Sequence, residues 1–229
     1  MKTFSIKEAL RFGWQKFQEH IWFLIGLFII NFLLSFPLGK EGVEYLKHAG
    51  IDKNTIIGLS AIAGIATFIL QIGLMRVVLK IIDGITPTLA DIFPSFSLII
   101  KYIGTMILYA LIVLGGIILL IVPGIIWAIK YSQVFYLVID KHTGIIPAFK
   151  ESGKITDGVK GKLIAFGLVL GLMNLAGALA YQVGVIITGP IALLASVYVY
   201  RKLHNLTFSV SPVTPEFPPE NSPTTTSQI

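Results

Sequence analysis

The chain has 229 residues, 55% of them hydrophobic and 13% charged, with a formal net charge of +6. Soluble domains carry about 25% charged residues, and the mean hydropathy of +0.82 makes a bilayer rather than water the expected solvent. The absence of cysteine excludes disulfides, thiolate metal sites and cysteine nucleophiles.

The amino-terminal segment opens with Ser5 and Glu8 at capping-box spacing, an arrangement in which each side chain satisfies an amide at a helix start. Ile6, Leu10, Trp14, Phe17 and Ile21 recur at three- and four-residue steps, and Lys7, Arg11, Gln15 and Gln18 fall opposite them. A cationic face opposite an aromatic-rich face predicts a helix lying in the membrane interface. Lys7 and Arg11 are then candidate contacts for anionic lipid. The apolar run 21–38 follows as a first span. No small-x-small cleavage site follows that run, so it is expected to stay in the protein rather than be removed as a signal peptide.

Residues Gly39 to Asn54 read as the one sizeable outer loop, and 55–79 as the second span. A second capping-box spacing, Thr88 with Asp91, starts a second amphipathic stretch whose apolar face is Leu89, Ile92, Phe93, Phe96 and Ile99. Pro94 lies in its first turns, where proline is tolerated. Two more spans, 102–122 and 124–139, are separated by Pro123-Gly124. The third amphipathic stretch runs from Ile145 to Val159. Ile145, Phe149, Ser152, Ile155 and Val159 share one side, while Lys150, Glu151, Lys154 and Asp157 lie mostly on the other, and Lys160 follows. Spans five and six, 163–181 and 184–202, turn near Tyr181 to Gly184.

Residues 208–229 are rich in proline, serine and threonine and read as a disordered cytoplasmic tail. The expected fold is an all-α integral membrane protein: six transmembrane helices in three hairpins, each preceded by a cytoplasmic amphipathic interfacial helix. The repeat is loose, because the three units are unequally spaced.

Lysine and arginine set the orientation. The amino-terminal segment, the second connection, the fourth connection and the C-terminal end hold four, three, five and two of them, against Lys40, Lys47 and Lys53 on the other side and Lys130 inside a span. The positive-inside rule places both termini in the cytoplasm of a multi-pass cell-membrane protein. That distribution suits anionic lipid better than nucleic acid. Asn205-Leu206-Thr207 matches a glycosylation sequon but falls on the cytoplasmic side, so we read it as chance.

Small residues mark packing faces. Gly167 and Gly171 form a GxxxG pair, and Gly184, Thr188, Ala192 and Ser196 form a four-residue ladder. In lipid such residues let backbones approach closely, either within the chain or at a homo-oligomer or partner interface. Lys130 is the charge well inside a span. Its stem either snorkels to the interface or presents the ammonium to a lipid phosphate or anionic substrate. Asn31, Gln71, Gln133, Asn174 and Gln182 are the polar side chains available to line a cavity or to hydrogen-bond between helices.

The four histidines, His20, His48, His142 and His204, are scattered without metal-ligand spacing, and no cofactor is expected. The sequence carries no nucleophile elbow, HExxH, P-loop or intramembrane carboxylate pair, so a catalytic role is not expected.

The run from Pro123 through Trp127 and Lys130 to Ser132, ending in Val138-Ile139-Asp140, is followed by Ala148-Phe149-Lys150-Glu151-Ser152. Together with Glu8-Ala9-Leu10 and Gly13-Trp14 it resembles a broad group of uncharacterised bacterial and archaeal six-span proteins. That group includes the membrane domain fused to some glycerophosphodiester phosphodiesterases. The resemblance implies six helices and a patterned position for Lys130; it carries over no catalytic residue. Two functions remain open: a non-enzymatic protein organising lipid or partner proteins at the inner leaflet, or a permease or lipid-handling transporter with a polar path near Lys130 and Asn174.

Overall fold

The computed structural model describes residues 2–179 and 183–208. The predicted tail beyond Phe208, and Tyr181 and Gln182 of the predicted last turn, lie outside them. The described residues are helical, with no strand among them.

Helix α1, Ile6–Glu19, starts where extended Ser5 accepts a hydrogen bond from the Glu8 amide. The Glu8 side chain does not close the box. It reaches Tyr198 and Lys202 instead. The buried stripe of α1 is Ala9, Gly13 and Phe17, and Trp14 is half exposed. The apolar face is therefore rotated from the predicted one. Gly13 decides this: a Cβ there would sit 2.8 Å from the Ile191 carbonyl oxygen, so its bare backbone lets α1 press onto another helix rather than onto lipid.

The chain bends by 94° into α2, Ile21–Ser35. At 15 residues α2 spans about 22 Å, short of the roughly 30 Å hydrocarbon core. A 3-10 turn at Phe36–Leu38 extends it. The predicted outer loop contains a helix, α3, Lys40–His48. Its Gly42 sits directly beneath the Phe36 carbonyl. Gly50, at φ +78°, turns the chain out of α3.

Helix α4, Lys53–Ile82, is capped by Asp52, which accepts from the Thr55 amide at 3.0 Å. In its second half Leu70, Ile72, Gly73, Leu74, Val77, Val78, Leu79 and Ile81 are buried. The stretch from Thr88, predicted as a second interfacial helix, is a four-residue 3-10 turn, Leu89–Ile92, closed by the Thr88–Asp91 capping box. Pro94 is the reason. It has no amide hydrogen and pushes the preceding residue out of the helical region, and Phe93 is extended at φ −96°, ψ 101°. Phe96 and Ile99, assigned to that helix from sequence, belong to the next one, α5, Phe96–Leu119.

Asp91 is buried, and Lys80 beside it, with the Thr88 amide and hydroxyl, holds its carboxyl down at about 2. Its folded pKa lies below the ordinary value. The contribution is therefore complete above about pH 4 and lost as pH falls toward 2. Asp91→Asn should cost about 1 kcal/mol at neutral pH and should flatten the acid limb of a detergent-phase unfolding curve. An unchanged acid limb would count against this role.

The break after α5 falls at extended Leu120, three residues before Pro123-Gly124. Proline is preorganised for a helix start, so Pro123 lies inside the first turn of α6, Ile121–Lys130. Gly116 and Gly124 face each other, and a Cβ on Gly116 would fall 2.8 Å from the Gly124 Cα. After a break at residues 131–133 comes α7, Val134–Lys141.

The third predicted amphipathic unit is α8, Ile145–Ile155. Its Ala148, Phe149, Ser152 and Ile155 are buried in the protein core. The unit stops short of its predicted end because Gly158 turns the chain at φ +77°. Helices α9, Lys160–Leu179, and α10, Val183–Phe208, complete the described chain.

Among the described residues, five stretches are long and apolar enough to cross a membrane: Lys53–Ile82, Phe96–Leu119, Ile121–Lys141, Lys160–Leu179 and Gly184–Phe208. A sixth exists if bent α1–α2 counts as one. The core lies where the second half of α4, α7, α8 and the second half of α10 meet. By contrast, the far parts of α5, α6 and α9 leave Leu111, Ile118, Ile121, Leu168 and Leu172 exposed, as helices facing lipid do.

Candidate functional site

The site grows from the break at the end of α6. A helix terminus leaves carbonyls without intrahelical partners. Here the Lys130 carbonyl accepts the Ser152 hydroxyl at 2.9 Å and the Thr156 hydroxyl at 3.0 Å. Both hydroxyls come from the α8 segment and both residues are buried. This contact locks α8 against the broken span and brings Phe149 against Tyr131, the rings tilted at 56° with centroids 5.1 Å apart.

The consequence is an open cleft of about 590 Å³ between the end of α6, one side of α8 and the start of α9. Lys130, Lys150, Lys154 and Lys160 line it, with Tyr131, Phe149, Gly153 and Asp157. Four ammonium groups face one carboxylate. Asp157 pairs with Lys160 at 3.4 Å, and no ion pair among the described residues engages Lys130, Lys150 or Lys154. The Lys130 ammonium lies 5.3 Å from the centre of the Tyr131 ring, within cation–π range. Gly153 makes room for its stem, since a Cβ there would be 3.2 Å from Lys130 Cε. Clustered cations in a concave surface concentrate field and select an anion. Lysine ammoniums supply charge and freely rotating donors to a phosphate.

The cleft thus gathers Lys130, Lys150, Lys154 and Lys160 in one place. The predicted cations Lys7 and Arg11 are exposed on α1 and do not line it. Lys7 faces a neighbouring surface with Lys162 and Lys202. Asn174 does not line the cleft either, and its Oδ1 is buried without a partner. The two predicted glycine motifs divide. A Cβ on Gly167 or Gly171 would meet nothing within 4 Å. Gly184, in contrast, packs on Gly177, and a Cβ at 184 would fall 2.7 Å from the Gly177 Cα. Thr188 touches Gly177 as well, Ala192 is buried, and Ser196 donates to the Ala192 carbonyl at 2.7 Å.

A second polar assembly had no counterpart in the sequence reading. The Arg201 guanidinium donates to both oxygens of Asp140, at 2.5 and 2.7 Å, and to Asp83 at 2.6 Å. Tyr200 donates to the same Asp140 at 2.7 Å. The cluster ties the ends of α4 and α7 to α10. Nearby, His204 and Glu151 join α10 to α8 at 3.1 Å. The only signal in the sequence was an acid at the end of each of two apolar runs.

Among known proteins, this chain is similar to uncharacterised proteins of Mycobacterium bovis and Mycobacterium tuberculosis. They are 25% identical in alignments 224 positions long, and the matches cover 87% of this chain and 69% of theirs. No family model matches. No solved structure matches.

Proposed function

We propose that this chain is a non-enzymatic, six-span protein of the cell membrane that organises anionic lipid at the inner leaflet, with the lysine cleft as its phosphate contact. In this reading α2 with the turn at Phe36–Leu38 is the first crossing, and both termini are cytoplasmic. The lysine and arginine bias between connections supports that orientation. Kinship with the six-span group that includes the phosphodiesterase-fused membrane domain belongs to the same reading and rests on the Pro123 to Ser132 run.

The observation that carries the function is the convergence of Lys130, Lys150, Lys154 and Lys160 on one cleft facing a single carboxylate. Juxtamembrane cations each add about 1 kcal/mol of attraction to an anionic leaflet. Neutralising Lys150 and Lys154 together, as Lys150→Gln with Lys154→Gln, should therefore weaken phosphatidylglycerol binding by roughly thirtyfold. Both side chains are exposed and outside the core, so the fold should be unaffected. Lipid retention by the purified full chain, read by native mass spectrometry against phosphatidylcholine, checks this. Equal retention by wild type and variant would sink the reading.

A further inference from the structure

Beside the lysine cleft runs a second cavity, an apolar crevice of about 400 Å³ between α6–α7, α9 and α10. Its walls include Ile129, Leu163, Phe166, Gly167 and Leu170. The two spaces are lined by residues that neighbour each other along α6 and α9. On one side Lys130 of the cleft is next to Ile129 of the crevice. On the other, Lys160 of the cleft is one helical turn before Leu163. Gln133 lines the crevice, is 6% exposed, and leaves its Oε1 without a partner, while its amide nitrogen donates to Ser132 Oγ at 3.0 Å. Gly167 keeps the α9 wall open, because nothing stands within 4 Å of a Cβ built there.

We propose that cleft and crevice form one site for a whole anionic phospholipid, with the phosphate among the lysines and one acyl chain in the crevice. This rests on the reading of the cleft as a phosphate contact and adds a place for the lipid's acyl chain. A lysine cleft beside an apolar crevice matches the two chemistries, anionic phosphate and hydrocarbon chain, that a phospholipid carries in one molecule. A bare phosphate would leave the crevice unused.

The test uses the full chain in detergent, with phosphatidylglycerol and water-soluble glycerol 3-phosphate as probes. Wild type should bind the lipid at least tenfold more tightly than glycerol 3-phosphate. Gly167→Leu fills the crevice and should weaken the lipid about tenfold, the loss of roughly two buried methylenes, while leaving glycerol 3-phosphate unchanged. If Gly167→Leu binds the lipid as wild type does, or weakens both probes equally, the single-lipid site is overturned and the lysine cleft still stands. If Lys150→Gln with Lys154→Gln leaves both probes unchanged, the phosphate contact fails and this site fails with it.

Discussion

Arg201→Met should cost the folded state about 3 kcal/mol, because it strands Asp140. Exposed ion pairs contribute about 1 kcal/mol or less, so burial decides the size. Side-chain exposure is 17% for Arg201 and 11% for Asp140, which puts this pair near the buried limit. Its bidentate geometry adds directional strength. The Asp83 arm is more open, at 36%, and should contribute little. The penalty comes mainly from the carboxylate left behind, which keeps only Tyr200 at 2.7 Å and a distant Lys141 at 3.8 Å. Arg201→Met combined with Asp140→Leu should therefore recover most of the loss, short of the Tyr200 hydroxyl bond. Unfolding by denaturing detergent, followed by circular dichroism, measures both. A double variant as unstable as the single one would refute the argument.

Gly73→Leu should destabilise the protein by about 3 kcal/mol, at the upper end of overpacking costs. Gly73 lies on α4 where the 3-10 turn at Leu89–Ile92 crosses it. A Cβ there would overlap the Ile92 carbonyl and fall 2.6 Å from Ile92 Cα. Those are backbone atoms, and no rotamer change moves them aside. The turn cannot slide away either. Arg76 holds the Asp91 and Phe93 carbonyls at 3.3 and 3.0 Å, and Lys80 holds the Asp91 carboxylate at 2.6 Å. Three successive turns of α4 thus grip one short loop. Displacing it should speed proteolysis between Gly84 and Ser95 as well as lower stability. A stability within about 0.5 kcal/mol of wild type would show that the turn is not fixed there.

Reading α1 and α8 from sequence located helices but not their neighbours. Their periodicity identified an apolar stripe; in α8 that stripe meets protein, and in α1 the face that meets protein, Ala9, Gly13 and Phe17, is rotated from it. Membrane interface and protein core demand the same three- and four-residue spacing, so periodicity alone does not separate them. Gly13 was the residue that separated them, and its effect depends on Ile191 and Ala195 of a helix far along the chain. The Thr88 stretch departs from its helical apolar spacing for a local reason, the restriction Pro94 places on Phe93. The Pro123 break was displaced because proline both ends helices and starts them.

Composition and the order of the apolar runs determined by themselves that this is a helical, membrane-type chain. Their length and lack of charge leave no other way to satisfy backbone hydrogen bonds in hydrocarbon. The sequence also determined that lysines concentrate between Lys150 and Lys162. Only the tertiary structure decided that Lys130, twenty residues earlier, joins them, that Gly167 is open while Gly184 is packed, and that Arg201 closes on Asp83 and Asp140. Local pattern sets which face of a helix is apolar or charged. Which faces meet depends on backbone approach and on where buried polar groups find partners, as the Lys130 carbonyl does in Ser152 and Thr156.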